Sequence, residues 1–256
     1  MVKAKAILRL SLSLIICHLS FLTVAAQDAL WATGTSQPPG PLKGEGRWTV
    51  QLTRRPDGKF SYTGPLNDGE LKIMTTAEPT DETQYLSPQM VDSYLINYGL
   101  TYVMTSDASR EGWVVSFQED TYRFVVDTGK RTVTGELLLP WNELLIAGSA
   151  FEGGANDVEW NRDNMLPFKR DHDNPYVFTW EGYLGHFDVI EPDRFKLEGQ
   201  MTWGPRELHP YTQDEDILTS TKFRTGGDDT KWHVYKEGRY RIRVDLLNET
   251  IQATLL

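Results

Sequence analysis

The sequence predicts an all-β chain of two tandem immunoglobulin-like β-sandwich domains, and three observations carry that prediction. Short runs alternate apolar and polar residues, the period of a strand that buries one face. Turn signals break those runs at short intervals, as in a sandwich of antiparallel sheets. The same ordered phrases occur twice, roughly half the chain apart.

The first element is not part of the fold. Lys3, Lys5 and Arg9 precede an apolar run from Leu10 to Val24, which ends in Val24-Ala25-Ala26. Positive start, apolar stretch and small residues make a secretory signal over residues 1–26, too short and Ser-rich for a membrane span. Gln27 then begins the exported chain. Cys17, the single cysteine, follows Ile15-Ile16. Lipidation needs a small residue directly before the cysteine, so Cys17 reads as apolar filler of the signal. The exported chain has no cysteine and so no disulfide framework, and burial alone must stabilise it. That combination fits a bacterial envelope protein.

The duplicated phrases place the two domains at residues 27–139 and 140–256, with the seam near Pro140. Trp31-Ala32-Thr33-Gly34-Thr35 answers Leu145-Ile146-Ala147-Gly148-Ser149, an apolar strand entering a Gly turn. Phe60 to Leu66 answers Phe178 to Leu184. Asp120 to Thr134 answers Gly238 to Gln252, each a strand, a turn and a second strand, and Trp113 and Trp232 each precede that hairpin. Pro56-Asp57-Gly58, Asn67-Asp68-Gly69, Asn174-Pro175 and Thr225-Gly226-Gly227-Asp228 supply turns. One stretch departs from the β pattern. Ser87-Pro88 followed by Tyr94, Tyr98 and Tyr102 fits either a short helix or a loop plus a strand.

The formal charge of −10 becomes more negative when three signal cations are removed. This excludes a duplex nucleic-acid surface, which depends on clustered cations. His172, His186, His209 and His233 have no metal-ligand spacing, and the clusters Asp171-x-Asp173-Asn174 and Gly226-Gly227-Asp228-Asp229 read as turn chemistry. No metal or cofactor is expected.

Several motifs in order carry a family resemblance. They are Leu145-Ile146-Ala147-Gly148-Ser149, Met165 to Asp171, Asp173 to Gly182, Phe195-Lys196-Leu197, and Lys231-Trp232 followed by Gly238-Arg239-Tyr240. This series resembles the repeating domains of the SusE/SusF outer-membrane starch-binding proteins of Bacteroidetes, over nearly all of residues 144–256 and more faintly over 29–135. The resemblance implies carbohydrate-binding-module-like sandwiches, without catalysis, that hold glucan chains at the cell envelope beside an outer-membrane transporter. The chain departs from the family in lacking a lipidation signal and an early Gly-Trp, and in an insertion over residues 185–193.

Binding a sugar needs a flat aromatic ring for the pyranose C–H face and charged or amide groups for its hydroxyls. Trp180 shares a strand face with Phe178 and reads as core, as does Trp31. Three tryptophans lie among polar neighbours and are the candidate platforms. Trp203 with Arg206 ranks first, then Trp232 with Lys231 and Asp229, then Trp160 with Asn161, with Tyr211 in support. The competing class is a glycoside hydrolase, which needs two carboxylates facing one cleft. Acids cluster at Asp157 and Glu159, Asp214-Glu215-Asp216 and Asp228-Asp229, in turns and not along an alternating strand. No nucleophile elbow or phosphate loop is present. A purely structural or adhesive envelope module is the third class.

Overall fold

The computed structural model describes residues 28–36, 49–116, 120–156, 159–187 and 193–256. The expected signal segment with Cys17, and residues 188–192 of the expected insertion, lie outside these. The fold is all-β, with one 3₁₀ turn at Arg162–Asn164 among the described residues.

The N-terminal strands are β1 (Trp31–Gly34), β2 (Val50–Gln51), β3 (Thr53–Arg54), β4 (Phe60–Leu66) and β5 (Gly69–Met74). They continue as β6 (Tyr85–Pro88), β7 (Asn97–Thr105), β8 (Trp113–Val115), β9 (Asp120–Asp127) and β10 (Thr132–Leu137). Their order is β2-β1-β5-β6-β7-β10-β9-β4-β3, with β8 also on β5. The long β7 pairs with β6 on one side and β10 on the other, and so connects two layers. Between them lie Leu71, Ile73, Trp113, Tyr122, Phe124 and Val126, all fully buried.

The structure has the loop-plus-strand form of the tyrosine-rich stretch, and no helix. Ser87-Pro88 ends β6, and Asn97 Oδ1 accepts the N–H groups of Gly99 (2.8 Å) and Leu100 (2.9 Å), which turns the chain into β7. Gly99 has φ +113°, outside any right-handed helix. Tyr102 faces the core while Tyr94 and Tyr98 are exposed. Trp31 also departs from its expected place. Strand alternation buries its neighbour Ala32 and leaves Trp31 half-buried on the opposite face.

The C-terminal strands begin with β11 (Leu145–Gly148), β12 (Leu166–Pro167), β13 (Lys169–Arg170), β14 (Val177–Leu184) and β15 (Arg194–Glu198). After them come β16 (Glu207–His209), β17 (Glu215–Asp216), β18 (Arg224–Thr225), β19 (Trp232–His233), β20 (Gly238–Asp245) and β21 (Thr250–Leu255). One sheet runs β12-β11-β15-β16-β18, with β19 on β15 and β17 on β19, and the other runs β13-β14-β20-β21. Phe178, Trp180, Phe195, Leu197, Leu208, Trp232, Tyr240 and Ile242 fill the space between them. Each such side chain contributes about 1.5–3 kcal/mol by leaving water, which is how a chain without disulfides closes its core.

The expected hairpins are present, with Asp127 opposite Thr132 and Asp245 opposite Thr250. The Asp171 cluster is a turn, its Oδ1 accepting the N–H groups of Asp173 and Asn174 at 2.9 Å each. Residues of the two halves touch through polar groups. Glu249 Oε1 lies 3.5 Å from Arg55 and 3.7 Å from Arg123, and Arg123 also donates to the Leu246 carbonyl. The Tyr176 hydroxyl donates to the Leu138 carbonyl at 2.9 Å.

Candidate functional site

Period-two alternation gives β15 two chemically different faces. Phe195 and Leu197 point into the core, while Arg194, Lys196 and Glu198 point outward. On the neighbouring β16, Leu208 is in the core, and Glu207 and His209 share the outward face. This charged face is not left to solvent. Trp203 stands above it, in the turn between β15 and β16, and Trp160 lies beside Trp203.

The two indoles have ring centroids 6.5 Å apart and planes inclined by 53°. Trp203 is 44% exposed, and Trp160 is partly buried in the cleft wall, its Nε1–H without an acceptor among the described residues. Together with Asn156, Glu159, Asn161, Arg162 and Asp163 they line a cleft of about 280 Å³. The supporting turns are tied down. Gly204 N–H donates to Glu207 Oε1 (3.0 Å), and Gln200 Nε2 donates to Glu198 Oε2 (3.2 Å) and to the Thr202 carbonyl (3.1 Å). On the other arm, Asn161 Oδ1 caps the 3₁₀ turn by accepting the Asp163 N–H at 3.1 Å. The group Asn161 can offer a ligand is therefore its Nδ2.

Lys196 is the hub of the floor. Its Nζ lies 5.0 Å from the Trp203 ring centroid, a cation–π distance. The same nitrogen pairs with Glu207 Oε1 at 2.7 Å, Glu198 Oε1 at 3.0 Å and Asp229 Oδ1 at 3.4 Å. Glu207 Oε2 faces His209 Nε2 at 3.2 Å. His209 Nδ1 meets the Thr230 carbonyl (2.9 Å), which only accepts, so the proton on that side belongs to the imidazole.

Three carboxylates around one ammonium cannot all ionise cheaply when one is fully buried, and Glu198 is 0% exposed. Burial pushes its carboxyl up to about 7, with Lys196 opposing the rise and Glu207 adding to it. Burial also acts to raise Glu207, but the Lys196 and His209 contacts outweigh it and hold that carboxyl below its usual range. Asp229 is lowered on balance too: burial opposes ionisation there, and Lys231 and Lys196 more than offset it.

The structure sorts the eight candidates. Trp203 and Trp160 meet, with Asn161 in the same cleft. Lys231 Nζ stands 5.5 Å from the Trp160 ring centroid and pairs with Asp229 Oδ2 at 2.8 Å, so Lys231 packs on a wall residue of the cleft, though neither it nor Asp229 lines the cleft itself. Arg224 fixes their loop by donating to the Gly226 and Asp228 carbonyls at 2.7 Å each.

Trp232 is a correction: it is 0% exposed, stacked on Phe195 at 5.6 Å, with its Nε1–H donated to Ser220 Oγ at 2.9 Å. Its alternation on β19 sends the ring inward, and no sugar can lie on it. Arg206 is a second correction. Glu207 takes the outward face of β16, so Arg206 falls on the opposite one, against Gly199. Tyr211 sits elsewhere, where its hydroxyl accepts the Arg55 Nε–H (2.9 Å) beside a cavity of about 200 Å³ between the two halves.

Sequence reasoning missed the floor. Glu198 and Glu207 are direct register partners on adjacent strands, the facing carboxylates that the turn-bound acids did not offer. The signal was the charged alternation in Lys196-x-Glu198 and Glu207-x-His209, which reads like a solvent face until the Trp203 turn folds over it.

No protein-family model matches the chain, and no curated protein sequence matches it. Among solved structures, the crystal structure of SusF from Bacteroides thetaiotaomicron is similar at a TM-score of 0.40 and 13% identity. The similarity covers 91% of this chain and 50% of that one, so the chain spans about half the length of that structure. Among the described residues, no helix is long and apolar enough to cross a membrane.

Proposed function

We propose that the protein binds a starch- or glucan-type polysaccharide without cleaving it, as an exported component of the bacterial outer envelope that captures glycan for an outer-membrane transporter. In this reading residues 27–139 and 140–256 are two sandwich repeats, and Trp203 is the principal sugar platform. The observation that carries the reading is the Trp203–Trp160 pair. Two inclined aromatic faces form one cleft, with amide and charged groups at its rim, which is the chemistry of a pyranose face and edge. Lys196 and Lys231, drawn to their carboxylates, hold the indoles in place, so little ordering is left for the ligand to supply. The motif resemblance in residues 144–256 supports the same class.

The test is electrophoresis through gels containing starch. Retarded migration of the wild type is expected, with Trp203→Ala and Trp160→Ala each restoring free migration while melting as the wild type does. Wild-type migration unaffected by every glucan tried would contradict the reading.

The facing carboxylates Glu198 and Glu207 favour a second reading, a glycoside hydrolase with one raised and one lowered acid. Against it, Glu198 has no exposed surface from which to reach a glycosidic oxygen. Incubation with starch separates the two, because a hydrolase releases reducing ends and a binding module does not.

A further inference from the structure

A second concave surface lies on the same half of the molecule, away from the tryptophan cleft. Strand β14 pairs with β20 along its whole length, but β13 covers its other edge only at Phe178 and Thr179. The cause is local. Leu166 and Pro167 pair with β11 in the opposite sheet, Phe168 donates to the Leu144 carbonyl (2.8 Å), and the chain reaches β14 only at Lys169. The Gly185 N–H donates to the Ala150 carbonyl at 2.9 Å and closes the far end. Between these points a groove of about 530 Å³ runs along β14, walled by Phe151, Leu166, Tyr183 and Phe187.

The groove is built in advance of any occupant. Trp180, almost wholly buried, packs against Gly182 at the groove's base, so close that a Cβ there would stand 2.2 Å from the ring. Tyr183 is 50% exposed, yet its hydroxyl donates to Glu237 Oε2 at 3.1 Å and Phe187 meets its ring edge-on at 5.8 Å. A half-exposed aromatic held in one orientation is an uncovered flat face. Polar groups border it. Glu181 is fixed by Arg241 Nε at 2.5 Å, and Lys169 has no carboxylate partner among the described residues. Pro167 and these edge charges oppose the addition of a peptide strand. Flat aromatic carbon beside free donors and acceptors suits a sugar ring.

One loop joins the two places. Its middle, with Trp160 and Asn161, walls the tryptophan cleft, and its ends, Phe151 and Leu166, wall the groove. Asn164 Nδ2 donates to the Gly153 carbonyl at 2.9 Å and ties its arms together.

We infer that the β14 groove is a second glycan contact, in which Tyr183 is the platform and Lys169 a hydroxyl donor, so that one long chain is held at two places; this rests on the glycan reading of the tryptophan cleft. A long chain bound at the cleft presents its further sugars to the groove at high effective concentration, and a short one does not.

The experiment is calorimetric titration of the full chain with linear α-glucan oligosaccharides of about three and about seven sugars, for which the second contact raises affinity roughly tenfold. The wild type is expected to bind the long oligosaccharide roughly tenfold more tightly than the short one, and Tyr183→Ala to remove that advantage while binding the short one normally. Tyr183→Phe keeps the ring and is expected to retain the advantage. Phe187→Ala serves as a second variant should Tyr183→Ala not fold. Loss of affinity in Trp203→Ala, with no length dependence or an unchanged Tyr183→Ala, overturns the groove and leaves the cleft standing. No binding of either oligosaccharide, with Trp203→Ala indistinguishable from wild type, overturns both.

Discussion

Trp232→Ala lowers folding stability by about 3–5 kcal/mol, whereas Trp203→Ala costs about 1 kcal/mol or less. Both residues are tryptophans in polar stretches, so composition does not separate them. Position in the strand does. Trp232 is fully buried, stacked on Phe195, and its indole N–H is paired with Ser220. Truncation removes the ring's transfer free energy, leaves a cavity between the sheets and strips Ser220 Oγ of its donor. Trp203 loses only its partial contacts with Trp160 and Lys196. Urea unfolding of the two variants checks the contrast, and equal losses would contradict the placement of Trp232 as core and Trp203 as surface.

Glu198→Gln flattens the dependence of stability on pH between about 4.5 and 8. In the unfolded chain this carboxyl titrates near 4.5, whereas in the native state burial raises it to about 7. Over that interval the native protein holds a proton that the unfolded chain has released. The contribution of Glu198 is complete below the unfolded value and is lost as pH rises through about 7, where the native state must also ionise. The full swing is on the order of 3 kcal/mol. Glu207 and Asp229, both lowered, act in the opposite direction, and their contributions are lost only on acidification below this interval. Gln keeps the shape and cannot ionise, so stability shifts in the variant's favour by that amount as pH rises. Denaturant unfolding at several pH values measures it, and parallel curves for the two proteins would contradict a protonated Glu198.

The β architecture was legible because strands declare themselves locally. Tyr240-Ile242-Val244 alternates with Arg241 and Arg243, Tyr122-Phe124-Val126 alternates with Arg123 and Val125, and all six are buried. The recurring sequence phrases carried a further signal. Trp232 corresponds to Trp113, which precedes the same hairpin and is fully buried, and that correspondence marks Trp232 as framework. The misplacement of Arg206 has a similar origin. Spacing of three residues from Trp203 implies proximity only on a helix, whereas entry into β16 sends Arg206 to the other face. The charged floor was hidden for a different reason. Lys196, Glu198, Glu207 and His209 form a polar stripe whose burial depends on turns that no short-range pattern brings over it. Tyr211 depends on how the two halves meet, and a strand period carries no information about that.

The central claim is that Trp203 and Trp160 hold the ligand. Its most direct measurement is titration of the protein with a soluble glucan while the indole N–H resonances are followed by NMR. The Trp203 and Trp160 signals are expected to move together and saturate, with the buried Trp113 and Trp232 signals unmoved. Saturable binding that leaves both cleft indoles in place, or moves Trp113 and Trp232 instead, would contradict the account.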